Sequence, residues 1–196
     1  MSSKLTLWIG LGVLALLFLM GVGSYNGLVT SNQGIDAQWA QVENDMQRRY
    51  DLIPNLVNTV KGYAKHESSV LEEVTRLRSQ WGAAKTPAEQ ASASDSLGTA
   101  LGRLMVISEN YPQLKADQSF LRLQDELAGT ENRIAVERKR FNEAVMDYNV
   151  RVQTFPTNIL AGMFGFHVKD AYFKANAAAQ EAPKVNFYKI GTKAPE

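Results

Sequence analysis

The chain has 196 residues, with 21 basic and 20 acidic side chains, a formal net charge of +1 and no cysteine. This balance argues against a nucleic-acid-binding protein, which is usually basic along one face. The lack of cysteine excludes disulfides, metal–thiolate sites and a thiol nucleophile.

The N-terminal region carries an uncharged stretch from Leu5 to Val22. A helix needs about 20 such residues to cross a bilayer, so we interpret residues 1–25 as a transmembrane anchor that contacts membrane lipid through residues 5–22. A cleaved signal peptide is the alternative, because Gly21-Val22-Gly23 resembles a cleavage site. Lys4 precedes the stretch and no Lys or Arg follows closely. The positive-inside rule therefore predicts a cytoplasmic N-terminus at the cell (inner) membrane, with the rest of the chain exported.

The next segment has apolar residues at alternating spacings of three and four. This pattern predicts a helix from about Asn32 to Lys65 with one packing seam. Pro54 lies inside the run and is expected to kink or break the helix near Tyr50 to Ile53. Arg49 is the one polar residue on the seam. We favour a packed stem with its charged head in solvent; the alternative is a buried ion pair to a facing helix.

Two shorter helices are predicted in the middle of the chain. The first carries apolar residues from Val70 and ends at Gly82, and the second begins at Pro87 and reaches about Tyr111. Thr86, Pro87 and Glu89 have the spacing of a capping box with proline at the first helical position. Residues 88–100 are small and polar, and we expect them to be frayed or loosely packed.

The strongest pattern predicts one long helix from Asp117 to Thr154 with a heptad face. The residues on that face are seven apart: Phe120, Leu127, Ile134, Phe141, Tyr148 and Phe155. Glu131 and Arg138 lie beside this seam. They are candidates for pairing with Arg49 or its neighbours on a facing helix.

The segment ILAGMFGF, residues 159–166, is the most apolar part of the chain beyond the anchor. We favour a place in the core or as a cap on the bundle for its large side chains, which are Ile159, Leu160, Met163, Phe164 and Phe166. Membrane-surface contact through residues 159–173 is the alternative. Residues 26–175 are expected to form the helical bundle, and residues 176–196 an extended tail.

No constellation of residues indicates catalysis. The two histidines, His66 and His167, have no partner at metal-ligand spacing, and neither a Glu-x-x-His motif nor a glycine-rich phosphate loop is present. We therefore predict no enzyme activity, no cofactor, no metal and no small-molecule substrate.

A set of polar residues near the seams is a candidate site of another kind, composed of Arg49, Asp51, Asn55, Glu131 and Arg138. We favour a buried network that fixes helix register, at some cost in stability. The alternative is a recognition surface for a partner helix or protein.

Several ordered blocks resemble the bacterial LemA family across nearly the whole chain. They are RRYDLIPNLV (48–57), KGYA (61–64), ENYPQLKA (109–116) and LAGTENRI (127–134), with FGF (164–166) near the end. The resemblance implies an all-α bundle of long antiparallel helices behind one membrane anchor. Some members of the family are linked to magnetosome membranes, which supplies no reaction that carries over to this chain.

These observations predict an all-α fold, in which a single N-terminal transmembrane helix is followed by a bundle of three to four long antiparallel helices. The expected function is a non-enzymatic, membrane-anchored scaffold or adaptor. Its expected partners are further copies of the chain or another membrane or envelope protein, and not nucleic acid. The alternative is a lipid-contacting or membrane-shaping protein that acts through residues 159–173.

Overall fold

The computed structural model describes residues 2–64 and 66–173, and within those ranges it contains six helices and no strand. The helices are α1 (Ser2–Tyr63), α2 (Ser68–Ala83), α3 (Pro87–Ser108), α4 (Pro112–Lys115), α5 (Gln118–Gln153) and α6 (Thr157–Phe164). The predicted all-α class is confirmed. The predicted tail, residues 176–196, and the last two residues of the predicted bundle lie outside the described residues.

Helix α1 joins the apolar N-terminal stretch to the bundle without interruption. It has 62 residues and is about 90 Å long at about 1.5 Å per residue. The anchor and the first seam, which the sequence suggests as separate elements, are therefore parts of one helix. The N-terminal part is long and apolar enough to cross a membrane, and no residue of its most apolar window is buried.

The expected break at Pro54 does not occur, because α1 continues through it. Proline has no N–H, so Pro54 leaves the carbonyl oxygen of Tyr50 without its usual helical donor. Arg78 of α2 replaces that donor: its Nε donates to the Tyr50 oxygen at 3.3 Å. The same guanidinium lies 4.1 Å from the centroid of the Tyr50 ring. A contact from a neighbouring helix thus supports the backbone where proline weakens it.

Helix α5 runs antiparallel to α1 along most of the bundle. The Tyr63 hydroxyl donates to Asp117 at 2.9 Å at one end, and the rings of Trp39 and Phe141 are 5.7 Å apart further along. The Asp117 carboxylate also accepts from the backbone N–H groups at the start of α5 and caps the helix. The predicted long helix is therefore confirmed within one residue at each end.

Helices α2 and α3 form a hairpin beside the half of α1 that lies farther from the apolar stretch. The predicted capping box is present, with Thr86 accepting from the Glu89 N–H and Glu89 accepting from the Thr86 N–H. The expected fraying of residues 88–100 is wrong. This part of α3 is regular helix with Ser94 and Leu97 buried, because its small side chains allow close approach to α1.

The buried apolar side chains form two clusters. The anchor-distal core joins α1, α2, α3, α4 and α5, and includes Leu56, Val74, Leu104, Leu114 and Phe120. The anchor-proximal core joins α1, α5, α6 and Trp81 at the end of α2, and includes Leu28, Val42, Phe141, Tyr148 and Ala161. The predicted heptad face ends earlier than expected, because α5 stops at Gln153 and the Phe155 side chain beyond it is exposed.

Candidate functional site

Arg49 lies at the level where the two cores meet, and only 3% of its surface is exposed. Its guanidinium donates to the Glu131 carboxylate of α5 and to the Ser94 hydroxyl of α3. A further hydrogen bond joins Nη2 to the Ser94 carbonyl oxygen at 2.8 Å. The favoured sequence interpretation, a charged head in solvent, is therefore wrong. The structure places the head between three helices instead.

A second ion pair lies next to the first. The Nη2 atom of Arg138 on α5 is 2.6 Å from a carboxylate oxygen of Asp95 on α3. Burial lowers the pKa of Arg49 and the positive charge of Arg138 adds to this, while Glu131 and Asp95 act in the opposite direction. The two arginines thus repel each other, and the two carboxylates offset that repulsion. We call these residues, Arg49, Ser94, Asp95, Glu131 and Arg138, the arginine cluster.

Asp51 and Asn55 lie outside the arginine cluster, although the sequence grouped them with Arg49. Asp51 is exposed and accepts from the Gln47 side chain at 2.8 Å within α1. The side chain of Asn55 is also exposed. Successive helical residues are about 100° apart, so residues two and six positions after Arg49 point away from it.

Sequence analysis missed Ser94 and Asp95, because both fall in the segment expected to be frayed. One signal was available. Ser94 continues the alternating three-and-four spacing of Leu97, Leu101, Leu104 and Ser108. A small hydroxyl residue at a seam position leaves room for a long side chain from a facing helix.

At the end of the bundle nearest the apolar stretch, the chain reverses direction and continues as a non-helical segment. After α6 the chain reverses at Gly165, whose φ of 76° suits glycine at a helix C-terminus. The following segment, residues 166–173, returns along α5. The Asn149 side chain donates to the Lys169 carbonyl and accepts from its N–H, both at 2.8 Å. Asn142 makes the same pair of bonds with Phe173.

Helix α6 packs beside the N-terminal apolar part of α1. The Tyr25 ring contacts the rings of Phe164 at 4.9 Å and Phe166 at 5.9 Å. A groove of about 420 Å³ lies between the two helices and is lined by Leu17, Phe18, Gly21, Val22, Tyr25, Leu160 and Phe164. All but Gly21 are large apolar or aromatic side chains, so the groove is suited to apolar groups.

The apolar side chains of α6 are divided between two environments. Ala161 is buried, and Leu160 and Phe166 are half-buried against the bundle. Ile159, Met163 and Phe164 are exposed, Met163 to 73%. A role in the core or as a cap therefore accounts for one side of α6 only. Its other side presents Ile159 and Met163 outwards, while the exposed Phe164 ring lies against Tyr25 at the edge of the groove.

Among residues 2–64 and 66–173, no group of three or more His, Asp or Glu side chains is arranged to hold a metal ion. The arginine cluster contains two cations, two carboxylates and a hydroxyl that largely bind one another. It can fix the relative positions of three helices, and the groove beside α6 can accept apolar chains.

These features define an all-α protein whose bundle is continuous with a helix able to span a membrane. The LemA family matches residues 38–187 of the chain. The chain belongs to the LemA family.

Several similar proteins carry magnetosome names. The chain is 28% identical over 180 residues to "Magnetosome protein MamQ 2" of Paramagnetospirillum magneticum, covering 79% of the chain and 66% of that protein. It is 29% identical over 168 residues to "Magnetosome protein MamQ" of Magnetospirillum gryphiswaldense, covering 72% of the chain and 62% of that protein. The chain thus spans slightly less than two thirds of the length of these relatives.

A third relative is "Protein LemA" of Metamycoplasma hominis, with 26% identity over 152 residues, covering 76% of the chain and 68% of that protein. None of the three names states a reaction, a substrate or a binding partner. The apolar N-terminal helix and these relatives fit a membrane-associated helical protein.

Proposed function

We propose that this protein is a non-enzymatic, membrane-anchored scaffold or adaptor. The observation that carries the proposal is the continuity of α1, which passes from the apolar stretch into the bundle as a single helix. A continuous helix contains no flexible joint, so the anchor sets the height and direction of the bundle above the membrane. A scaffold needs this property, because it must hold its surfaces at a fixed height and tilt above the membrane.

The outer face of α5 is the surface we assign to partners. The exposed polar residues Asp125, Asn132, Lys139 and Glu143 share this face with a row of four exposed apolar side chains: Leu121, Val136, Met146 and Val150. At about 100° per residue they lie within an arc of roughly 80° on one side of the helix. They span about 43 Å of its length at about 1.5 Å per residue. A face of this length that combines apolar side chains with charges of both signs suits a partner helix.

The expected partner is a second copy of the chain or another membrane or envelope protein. The proposal includes the orientation that Lys4 predicts, with the N-terminus in the cytoplasm and the bundle on the opposite side of the cell (inner) membrane. The chain's similarity to proteins of different names supports a structural role that several processes can use.

The test is the native mass and composition of the full chain, extracted gently from its own membrane. We expect a homo-oligomer or a stoichiometric complex with a second protein. Met146→Glu combined with Val150→Glu should release single chains, because two carboxylates would interrupt the apolar row. Val106→Glu is the matched control, because Val106 is exposed to 71% on α3, outside that row. A wild-type chain recovered alone as a monomer would contradict the proposal.

A second function, lipid contact or membrane shaping through residues 159–173, is favoured by one observation. The exposed apolar side chains of α6 lie beside the part of α1 that is apolar enough for a membrane. This function is compatible with the first, since lipid contact by α6 would hold the same bundle at the same membrane.

A further inference from the structure

We propose that α6 lies within the acyl-chain region of the leaflet on the bundle's side, as a short helix that does not cross the membrane. This inference rests on the lipid contact proposed above and adds its depth. The occupant of the exposed face of α6 is then the acyl chains of that leaflet. The length of α1 limits how deep α6 lies in the membrane, and the positions of the charged residues near α6 give a second estimate of that depth.

The length of α1 fixes the depth of α6. A bilayer's hydrocarbon core is about 30 Å thick and takes about 20 helical residues, which from Leu5 extends to Ser24. The groove places α6 beside residues 17–25. At a rise of about 1.5 Å per residue, α6 then lies beside roughly the last 12 Å of that span. If α6 lay outside the core, only residues 5–16 would remain, about 18 Å. That length is too short to cross.

The charges near α6 agree with this depth. No Lys, Arg, Asp or Glu occurs between Arg151 and Lys169, and His167 is the one titratable residue in this part of the chain. Arg151 lies beside Gly27, three residues beyond the expected end of the hydrocarbon core. Lys169 is held at a similar level by the bonds of its backbone to Asn149. Both cations therefore fall in the headgroup layer, where charged side chains are hydrated.

The backbone of α6 is compatible with an apolar environment, in which unpaired polar groups are costly. Pro156 precedes the helix and has no N–H to satisfy. Two of the donors that follow are paired: the Asn158 N–H donates to the Thr154 oxygen at 2.9 Å, and the Ile159 N–H donates to the Pro156 oxygen at 3.2 Å. At the other end the Phe166 N–H bonds to the Ala161 oxygen at 2.9 Å.

A leaflet-embedded α6 gives the protein a second point of contact with the membrane. A single helix leaves the bundle free to rotate about the anchor's axis. A second contact, beside α1 rather than on its axis, removes that freedom and fixes which face of α5 lies along the membrane. The bundle would then be oriented as well as anchored.

The lack of cysteine allows single-site labelling without background. Nitroxide labels are placed at Met163→Cys on α6, at Leu14→Cys in the anchor and at Val106→Cys on α3, in the full chain in vesicles of phosphatidylcholine and phosphatidylglycerol at three to one. Val106 is the matched control for Met163, since the two side chains are exposed to 71% and 73%. The measurement is the relaxation of each label by oxygen, which concentrates in acyl chains, and by a water-soluble nickel chelate.

We expect the label at residue 163 to resemble the one at residue 14, with an oxygen-to-nickel ratio several-fold above that at residue 106. A ratio equal to that at residue 106 would place α6 in water and overturn both the depth and the lipid contact. A label shielded from both reagents would mean that protein covers this face, and it would also overturn both the depth and the lipid contact. A headgroup-level ratio would overturn the depth alone and leave lipid contact standing.

Discussion

The two halves of the bundle are stabilised by different kinds of side chain. In the anchor-distal half four helices lie side by side, and aliphatic residues such as Leu56, Val74 and Leu104 fill the space between them. In the anchor-proximal half only α1 and α5 run the full length. There the rings of Trp39, Phe141 and Phe173 pack at centroid distances of 5.4–5.8 Å.

A two-helix region can therefore still bury a core. Aromatic side chains supply more buried area each than aliphatic ones, and the segment of residues 166–173 takes the place of the missing helices. Because that segment has no helical hydrogen bonds, Asn142 and Asn149 bind its backbone instead. The arginine cluster lies at the boundary between the two arrangements.

The largest effect is expected from truncation of the aromatic core. Phe141→Ala should lower the free energy of unfolding by about 4 kcal/mol, since it removes a buried ring from two ring contacts. Leu104→Ala in the distal core is the comparison and should cost about 3 kcal/mol. Exchange of backbone amide hydrogens should rise first in residues 142–173 of Phe141→Ala, and first in α2 and α3 of Leu104→Ala. Equal exchange patterns would mean that the two halves unfold as one unit.

The next largest effect is expected in the arginine cluster, where removing the carboxylate should destabilise the fold more than removing the arginine. Glu131→Ala should lower the free energy of unfolding by about 2 kcal/mol, because it leaves the buried Arg49 charge without its main partner. Arg49→Met should lower it by only about 1 kcal/mol, because the freed Glu131 carboxylate is 60% exposed and regains water, while the buried Ser94 hydroxyl loses its donor. Urea unfolding of both variants and of the double variant measures the coupling. A larger loss for Arg49→Met, or additive effects near zero, would contradict the network.

A smaller effect is expected where α2 supports α1 at proline. Arg78→Met should cost about 1 kcal/mol, because it removes the donor to the Tyr50 oxygen and the cation over the Tyr50 ring. Arg76→Met is the matched control, since Arg76 lies on the same helix but is exposed. Thermal unfolding of the two variants gives the comparison. Equal melting temperatures would show that Arg78 does not stabilise α1 at Pro54.

The smallest effect depends on pH. Hydrogen bonds from the Phe120 N–H and the Tyr63 hydroxyl lower the pKa of Asp117 below its ordinary value of 3.8. A carboxyl with a lowered folded pKa stabilises the fold above its unfolded pKa and loses that contribution as pH falls through the folded value. The difference in urea midpoint between wild type and Asp117→Asn should therefore be largest near neutral pH and shrink below about pH 4. A difference that is constant with pH would contradict this role of the carboxylate.

The spacing of apolar residues predicted much of the fold. The seams of α1 and α5, the capping box of α3 and the start of α5 at Asp117 all depend on local patterns. The continuity of α1 at Pro54 depends instead on Arg78, which lies on a different helix and whose contact no local pattern reveals. Likewise, the environment of Arg49 depends on Ser94, which lies in a segment without large apolar residues.

The exposure of α6 shows a related limit of prediction from apolar composition. Ile159 and Leu160 are neighbours of similar hydrophobicity, yet one is exposed and the other packs against α1. Apolar composition indicates removal from water but does not distinguish a protein core from a lipid leaflet. The position of α6 beside residues 17–25 distinguishes them, and that position follows only from the antiparallel packing of α5 on α1.

One unbroken helix, in our account, fixes the bundle to the membrane. Gly21, Gly23 and Gly27 lie at the junction, and each weakens a helix by about 1 kcal/mol relative to alanine. The direct test is the distance between nitroxides at Leu14→Cys and Gln41→Cys in the full chain in vesicles. A continuous helix, rising about 1.5 Å per residue, predicts one narrow distribution centred at about 40 Å. A broad distribution, or one centred at a shorter distance, would mean that the junction is a hinge and would contradict the claim.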